Sequence, residues 1–126
     1  MDGGPVIVAG FGFRDGADIG SLVDALTLAQ AGFPSVRALA TLLDKVPLVE
    51  RLAGLLDIPF LAFGTEALGG MATLTRSPVS LAVRGTGSVA EAVALLAAGP
   101  GARLLSARHI SSDRKATCAL AEGIRQ

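Results

Sequence analysis

The sequence predicts an α/β domain, a single three-layer α/β/α sandwich over residues 1–126 around a mixed, mostly parallel sheet. Three observations lead there. Short runs rich in Val, Ile, Leu and Ala are apolar throughout, as strands covered on both faces are. These runs alternate with segments whose apolar residues recur at helical spacing, the pattern of a parallel sheet with helices on both faces. The last two runs are joined by a short polar link with no helix, so they are expected to pair antiparallel.

The elements follow in order. Pro5 to Gly10 is the first strand. Ile19, Leu22, Val23, Leu26 and Ala29 mark a helix that Asp18 or Ser21 can cap and that Gly32 and Pro34 end. Val36 to Leu42 is the second strand. Leu48, Val49, Leu52, Leu55 and Leu56 form the next helix, with Pro47 in its first turn, where a missing N–H costs nothing. Ile58 to Phe63 is the third strand, and Gly64 to Pro78 reads as a long loop. Val79 to Val83 is a further strand leading into a strongly apolar helix opened by Ser88 and stopped by Gly99-Pro100-Gly101. Ala102 to Ala107 and Ala116 to Ala121 are the last strands, linked by Arg108 to Lys115.

Composition narrows the function. Hydrophobic residues make up 51% and charged residues 17%, which fits one packed core and excludes disorder. Basic and acidic residues number 11 each, with no basic face, so no nucleic-acid partner is expected. Arg103, Arg108, Arg114 and Lys115 form a modest cluster suited to small anions. Cys118 is the single cysteine, read as a small buried apolar residue; no disulfide or multi-cysteine metal site can form. Neither a signal peptide nor an apolar stretch of the roughly 20 residues that span a bilayer is evident. The expectation is a cytoplasmic chain with no membrane, metal or cofactor partner.

Ligands of open α/β sheets bind beyond the carboxyl ends of the strands. Three loops are expected there and on one cleft: Gly10 to Arg14, Thr41 to Lys45, and Gly85 to Ser88. In the last, glycines lead into a helix whose Ser88 and Glu91 have capping-box spacing, and free N–H groups at such a helix start favour an anion. A well-built turn would have the same spacing. Gly10-Phe11-Gly12-Phe13-Arg14-Asp15-Gly16 approaches the dinucleotide fingerprint, but its third glycine falls one place late and no acidic residue closes the second strand. The candidate ligand-binding residues are Gly10, Gly12, Arg14, Thr41, Lys45, Gly85, Gly87 and Ser88, with Glu91 as candidate catalytic group. His109 stands alone, without a triad or a second metal ligand at recognisable spacing.

Five local words in this order resemble the cobalamin-biosynthesis CobE / CbiG C-terminal domain family. They are Gly10-Phe11-Gly12-Phe13-Arg14; Leu39-Ala40-Thr41 with Lys45; Leu55 to Phe63; Gly85 to Ala92 with the following Ala94 to Leu105; and Thr117 to Ala121. Arg108 stands where many members have a lysine. The resemblance implies a protein that binds, and processes or hands on, a precorrin or corrinoid intermediate, with other pathway enzymes as further partners. Where the family's domain is fused in CbiG, that protein opens the ring lactone of a cobalt-precorrin and releases acetaldehyde. This chain carries the single domain and resembles the stand-alone form. Precorrin lactone hydrolysis using Glu91 and a small nucleotide- or phosphate-binding module stay open as alternatives.

Overall fold

A computed structural model describes residues 6–64, 87–99 and 101–123, apart from the side chains of Gly87 and Ser88. The strand expected at Val79 to Val83 and the loop from residue 65 to Pro78 lie outside the described residues. The chain order is β1 (Val6–Phe13), α1 (Ile19–Gln30), β2 (Ala38–Leu42), a 3-10 turn at Leu43–Lys45, α2 (Val46–Leu56), β3 (Phe60–Phe63), α3 (Gly87–Ala98), β4 (Arg103–Ile110) and β5 (Ala116–Gly123). The sheet order is β3-β2-β1-β5-β4. β1, β2 and β3 are mutually parallel, β5 is antiparallel to β1, and β4 is antiparallel to β5. Four of these five strands therefore point the same way, with β5 reversed between them.

Alternate residues of β1 point to opposite faces, and this divides the core in two. Ile7, Ala9 and Phe11 join Leu39, Cys118 and Leu120 beneath α1 and α2. Val8, with Ala38, Ala40 and Leu42, meets Val89 and Val93 of α3 on the other face. The three-layer α/β/α arrangement is thus present. Full burial of Phe11, Leu22, Leu39, Leu52 and Leu120 contributes about 1.5–3 kcal/mol each. Among the described residues no helix is long and apolar enough to cross a membrane.

α1 begins as a capping box. The Asp18 carboxylate accepts the Ser21 N–H at 3.0 Å, and the Ser21 hydroxyl accepts the Asp18 N–H at 3.2 Å. So Asp18 is the cap, and Ser21 completes it. The β4–β5 turn is fastened to this helix: Ser21 donates its hydroxyl to Asp113 at 2.5 Å, and Asp24 accepts both the backbone N–H and the hydroxyl of Ser112.

Strand boundaries differ from the sequence reading: β2 starts at Ala38 rather than Val36, β3 at Phe60 rather than Ile58, and β5 runs to Gly123 rather than Ala121. Two further differences, in β1 and β4, bear on the site. β1 continues to Phe13, because β5 pairs with it as far as Phe13↔Ala116. Gly10 and Gly12 are therefore strand residues, and the turn starts at Arg14. β4 likewise takes in Arg108, His109 and Ile110, which the sequence reading places in the polar link. Its register against β5 shifts between Leu104 and Ser106 and again between Ser106 and His109, so β4 carries extra residues there.

Candidate functional site

The carboxyl ends of β1 and β2 open onto a cleft of about 290 Å³. Its walls come from the β1–α1 loop (Phe13 to Ala17) and from the β2–α2 connection and first turns of α2 (Asp44, Lys45, Pro47, Leu48, Arg51). Arg14 is exposed at one wall, and Lys45 is half-buried at the other. The Lys45 ammonium lies 5.3 Å from the centre of the Phe13 ring, within cation–π range. It also pairs with the carboxylate of Asp15 at 3.5 Å. The floor is firm: Arg14 donates its backbone N–H to the Lys115 carbonyl, and Ala17 donates back to the Arg14 carbonyl.

The structure thus brings Arg14 and Lys45 to one cleft. Other expected residues lie elsewhere. Gly10 lies under α3, where a Cβ would stand 2.2 Å from the Ala90 carbonyl oxygen. Gly12 faces Val89 and the Thr117 hydroxyl. Gly10 lets the helix approach the strand closely, the use glycine serves where backbone meets backbone, whereas the neighbours of Gly12 are side-chain atoms. Thr41 is fully buried, and its hydroxyl donates to the Phe11 carbonyl at 3.2 Å, so it ties β2 to β1 inside the sheet. Gly85 lies outside the described residues. Gly87 starts α3 at the same sheet edge, but α3 covers the face opposite α1 and α2, and among the described residues those lining the cleft include none from α3. The Ser88 half of the expected capping box lies outside the described residues.

Glu91 is fully buried on α3, where its Oε2 accepts the Arg108 N–H at 3.2 Å. Arg108 lies in the stretch between Ser106 and His109 where the β4 register against β5 shifts. Supplying the acceptor for a backbone N–H is a structural task, because such a donor left unmet when buried costs free energy. His109 hydrogen-bonds through Nδ1 with the Ser106 hydroxyl at 3.2 Å. Cys118 is buried, and burial pushes its thiol pKa up, away from reactivity. Hydrogen bonds from Ser111, from Ser21 and from the Lys115 N–H hold Asp113 at a pKa of about 2. Among the described residues no group of three or more His, Cys, Asp or Glu could hold a metal.

Sequence reasoning missed Asp15, Leu48 and Arg51 as cleft residues. Arg51 follows Pro47 by four positions and so shares its helix face, a spacing that would have placed it had the helix start been fixed.

Comparison with known proteins gives a consistent picture. Residues 7–121 match the family model described as cobalamin synthesis G C-terminus. The fold is similar to that of CobE, a protein from the cobalamin (vitamin B12) biosynthetic pathway, at 32% identity and a TM-score of 0.81, covering 97% of this chain and 93% of that one. It is also similar to the cobalamin biosynthesis protein ChiG from Agrobacterium tumefaciens, at 31% identity and a TM-score of 0.66, covering 92% and 97% of the two chains. No curated protein matches.

Proposed function

The chain belongs to the cobalamin synthesis G C-terminal family, within the cobalamin biosynthesis pathway, and from that premise we propose that it binds a precorrin or corrinoid intermediate at the cleft between the β1–α1 and β2–α2 loops. The observation that carries this reading is the convergence of Arg14 and Lys45, from two successive strand ends, on one cleft beside the Phe13 ring. Precorrins are large flat rings edged with acetate and propionate carboxylates. A planar guanidinium and an ammonium are the groups that hold such arms, and Phe13 offers apolar contact.

Size limits what the cleft can take. About 290 Å³ is at the small end of ligand pockets. The cleft therefore accepts one edge of the ring with its acidic arms, and the rest of the macrocycle extends beyond it. Binding and handing on fit this geometry better than hydrolysis. Glu91, the candidate catalytic group, is buried against Arg108 on α3 and is not among the cleft residues. The dinucleotide alternative loses its basis, since Gly10 and Gly12 lie within β1 under a helix.

The test is a visible-absorbance titration of the protein with hydrogenobyrinic acid, alongside NAD and ATP. A spectral shift at micromolar protein, with no comparable nucleotide binding, is the expected result. The Arg14→Met/Lys45→Met variant keeps much of each stem and removes both charges; it should bind more weakly with a flatter salt dependence. Unchanged binding by that variant, or tight nucleotide binding with a flat hydrogenobyrinic acid titration, would overturn the proposal.

A further inference from the structure

Among the described residues three cations line the cleft, Arg14, Lys45 and Arg51, and they are not equally available. Lys45 has its ammonium within cation–π range of Phe13 and paired with Asp15. A ligand carboxylate reaching Lys45 shares the ammonium with a carboxylate already there, or competes with it, and gains less for that reason. Among the described residues, by contrast, neither Arg14 nor Arg51 takes part in an ion pair. Both are exposed, and each presents a planar fork of donors that matches a carboxylate with two parallel hydrogen bonds. Arg51 projects from α2, a rigid element whose apolar face is anchored in the core by Val49, Leu52 and Ala53.

We propose that Arg51 is a ligand-binding residue of this cleft, and that Arg14 and Arg51 hold the acidic arms of the ligand while Asp15 mutes the share of Lys45. The inference rests on the proposed corrinoid reading for the identity of the ligand, but its logic applies to any polycarboxylate. It adds Arg51 to the Arg14 and Lys45 pair named from the sequence and moves weight within that set from Lys45 to Arg51.

The experiment measures dissociation constants of the intact chain for two probes, hydrogenobyrinic acid and benzene-1,2,4,5-tetracarboxylate, by calorimetry at low salt. The variants are Arg51→Met, Lys45→Met, Asp15→Asn and Asp15→Asn/Lys45→Met, with melting temperature as the check on folding. Asp15→Asn keeps a residue type suited to the turn. Arg51→Met should weaken binding about three- to tenfold at unchanged melting temperature. Lys45→Met should weaken it less than about twofold, since one exposed pair is exchanged for another. In the Asp15→Asn background, removing Lys45 should cost about threefold or more, because the competitor is gone.

If only the tetracarboxylate binds, with this ranking, the inference stands and the corrinoid reading falls. If hydrogenobyrinic acid binds but Arg51→Met leaves it unchanged, or Lys45→Met costs more than Arg51→Met, the inference falls and the corrinoid reading stands. An equal Lys45→Met penalty with and without Asp15 also overturns it. No binding of either probe overturns both.

Discussion

Replacing Gly10 by alanine tests how α3 is seated. The added Cβ would meet the Ala90 carbonyl oxygen at 2.2 Å, the Ala94 nitrogen at 2.7 Å and the Ala94 Cβ at 2.9 Å. The first contact is about 0.8 Å inside the 3.0 Å limit that real Cβ atoms essentially never cross. Two of the three neighbours are backbone atoms of α3, so no rotamer change relieves the clash. The helix must lift from the sheet, pulling Val89 and Val93 out of contact with Val8, Ala40 and Leu42. Overpacking of a tight core costs about 1–3 kcal/mol, and a clash with backbone belongs at or above the top of that range. For a chain of this length, about 3 kcal/mol corresponds to a fall in melting temperature of roughly 9–15 °C. The chain has no Trp or Tyr, so far-UV circular dichroism through urea and heat is the practical assay. Two controls bracket the result. At Gly12 the nearest contacts are 3.3 Å to the Thr117 hydroxyl and 3.5 Å to Val89, so Gly12→Ala should cost less than about 1 kcal/mol. Gly54 in α2 has open space around its Cβ direction, and Gly54→Ala should stabilise by about 0.4–1 kcal/mol. A Gly10→Ala variant melting within about 2 °C of the parent would refute this account of the β1 glycines.

Other expectations follow from the same contacts. Glu91→Ala should lose about 1–3 kcal/mol from the orphaned Arg108 N–H alone, measured by urea denaturation, whereas Glu91→Gln keeps an oxygen acceptor and should retain both most of the stability and ligand binding. Loss of ligand binding in a stably folded Glu91→Gln protein would show that Glu91 acts on the ligand. Asp113 has its folded pKa lowered from 3.8 to about 2, so its contribution is fully present above pH 4 and is lost as pH falls toward 2. Asp113→Asn should therefore flatten the loss of stability between those values, and an unchanged acid limb would rule out the hydroxyl clamp as its source. The Cys118 thiol, buried and shifted upward, should resist alkylation in the native protein at neutral pH and react on unfolding, as mass spectrometry of iodoacetamide-treated samples can follow.

Much of the architecture was legible because it is local. Periodic apolar residues gave α1 and α2, the helix-free link gave the antiparallel β4–β5 pair, and Asp18 and Ser21, read as alternative caps, marked the start of α1 where the structure joins them in one capping box. What escaped depends on partners far along the chain. Gly-x-Gly after an apolar run looks like a turn; only the arrival of α3 on β1 and of β5 beside it shows the run continuing as strand through Phe13. Thr41 looks like a loop residue, and its commitment to the Phe11 carbonyl is a cross-strand fact. Arg14 and Lys45 were found because strand-end loops gather at one edge of a parallel sheet. Arg51 was not, because its place on the cleft depends on where α2 starts and how it tilts.

The pairing of β1 with β5 along their whole length has a kinetic side. Val6↔Gly123 and Phe13↔Ala116 are the two ends of that ladder, so the central strand of the sheet finds one neighbour about a hundred residues away. During synthesis, β1, α1, β2 and α2 emerge early with one flank of β1 still unpaired and the apolar residues Ile7, Ala9 and Phe11 incompletely covered. The sheet closes only when β5 arrives and slots between β1 and β4. Closing this ladder is thus a non-local step, and until it is made the free flank of β1 is an unpaired sheet edge of the kind that invites association.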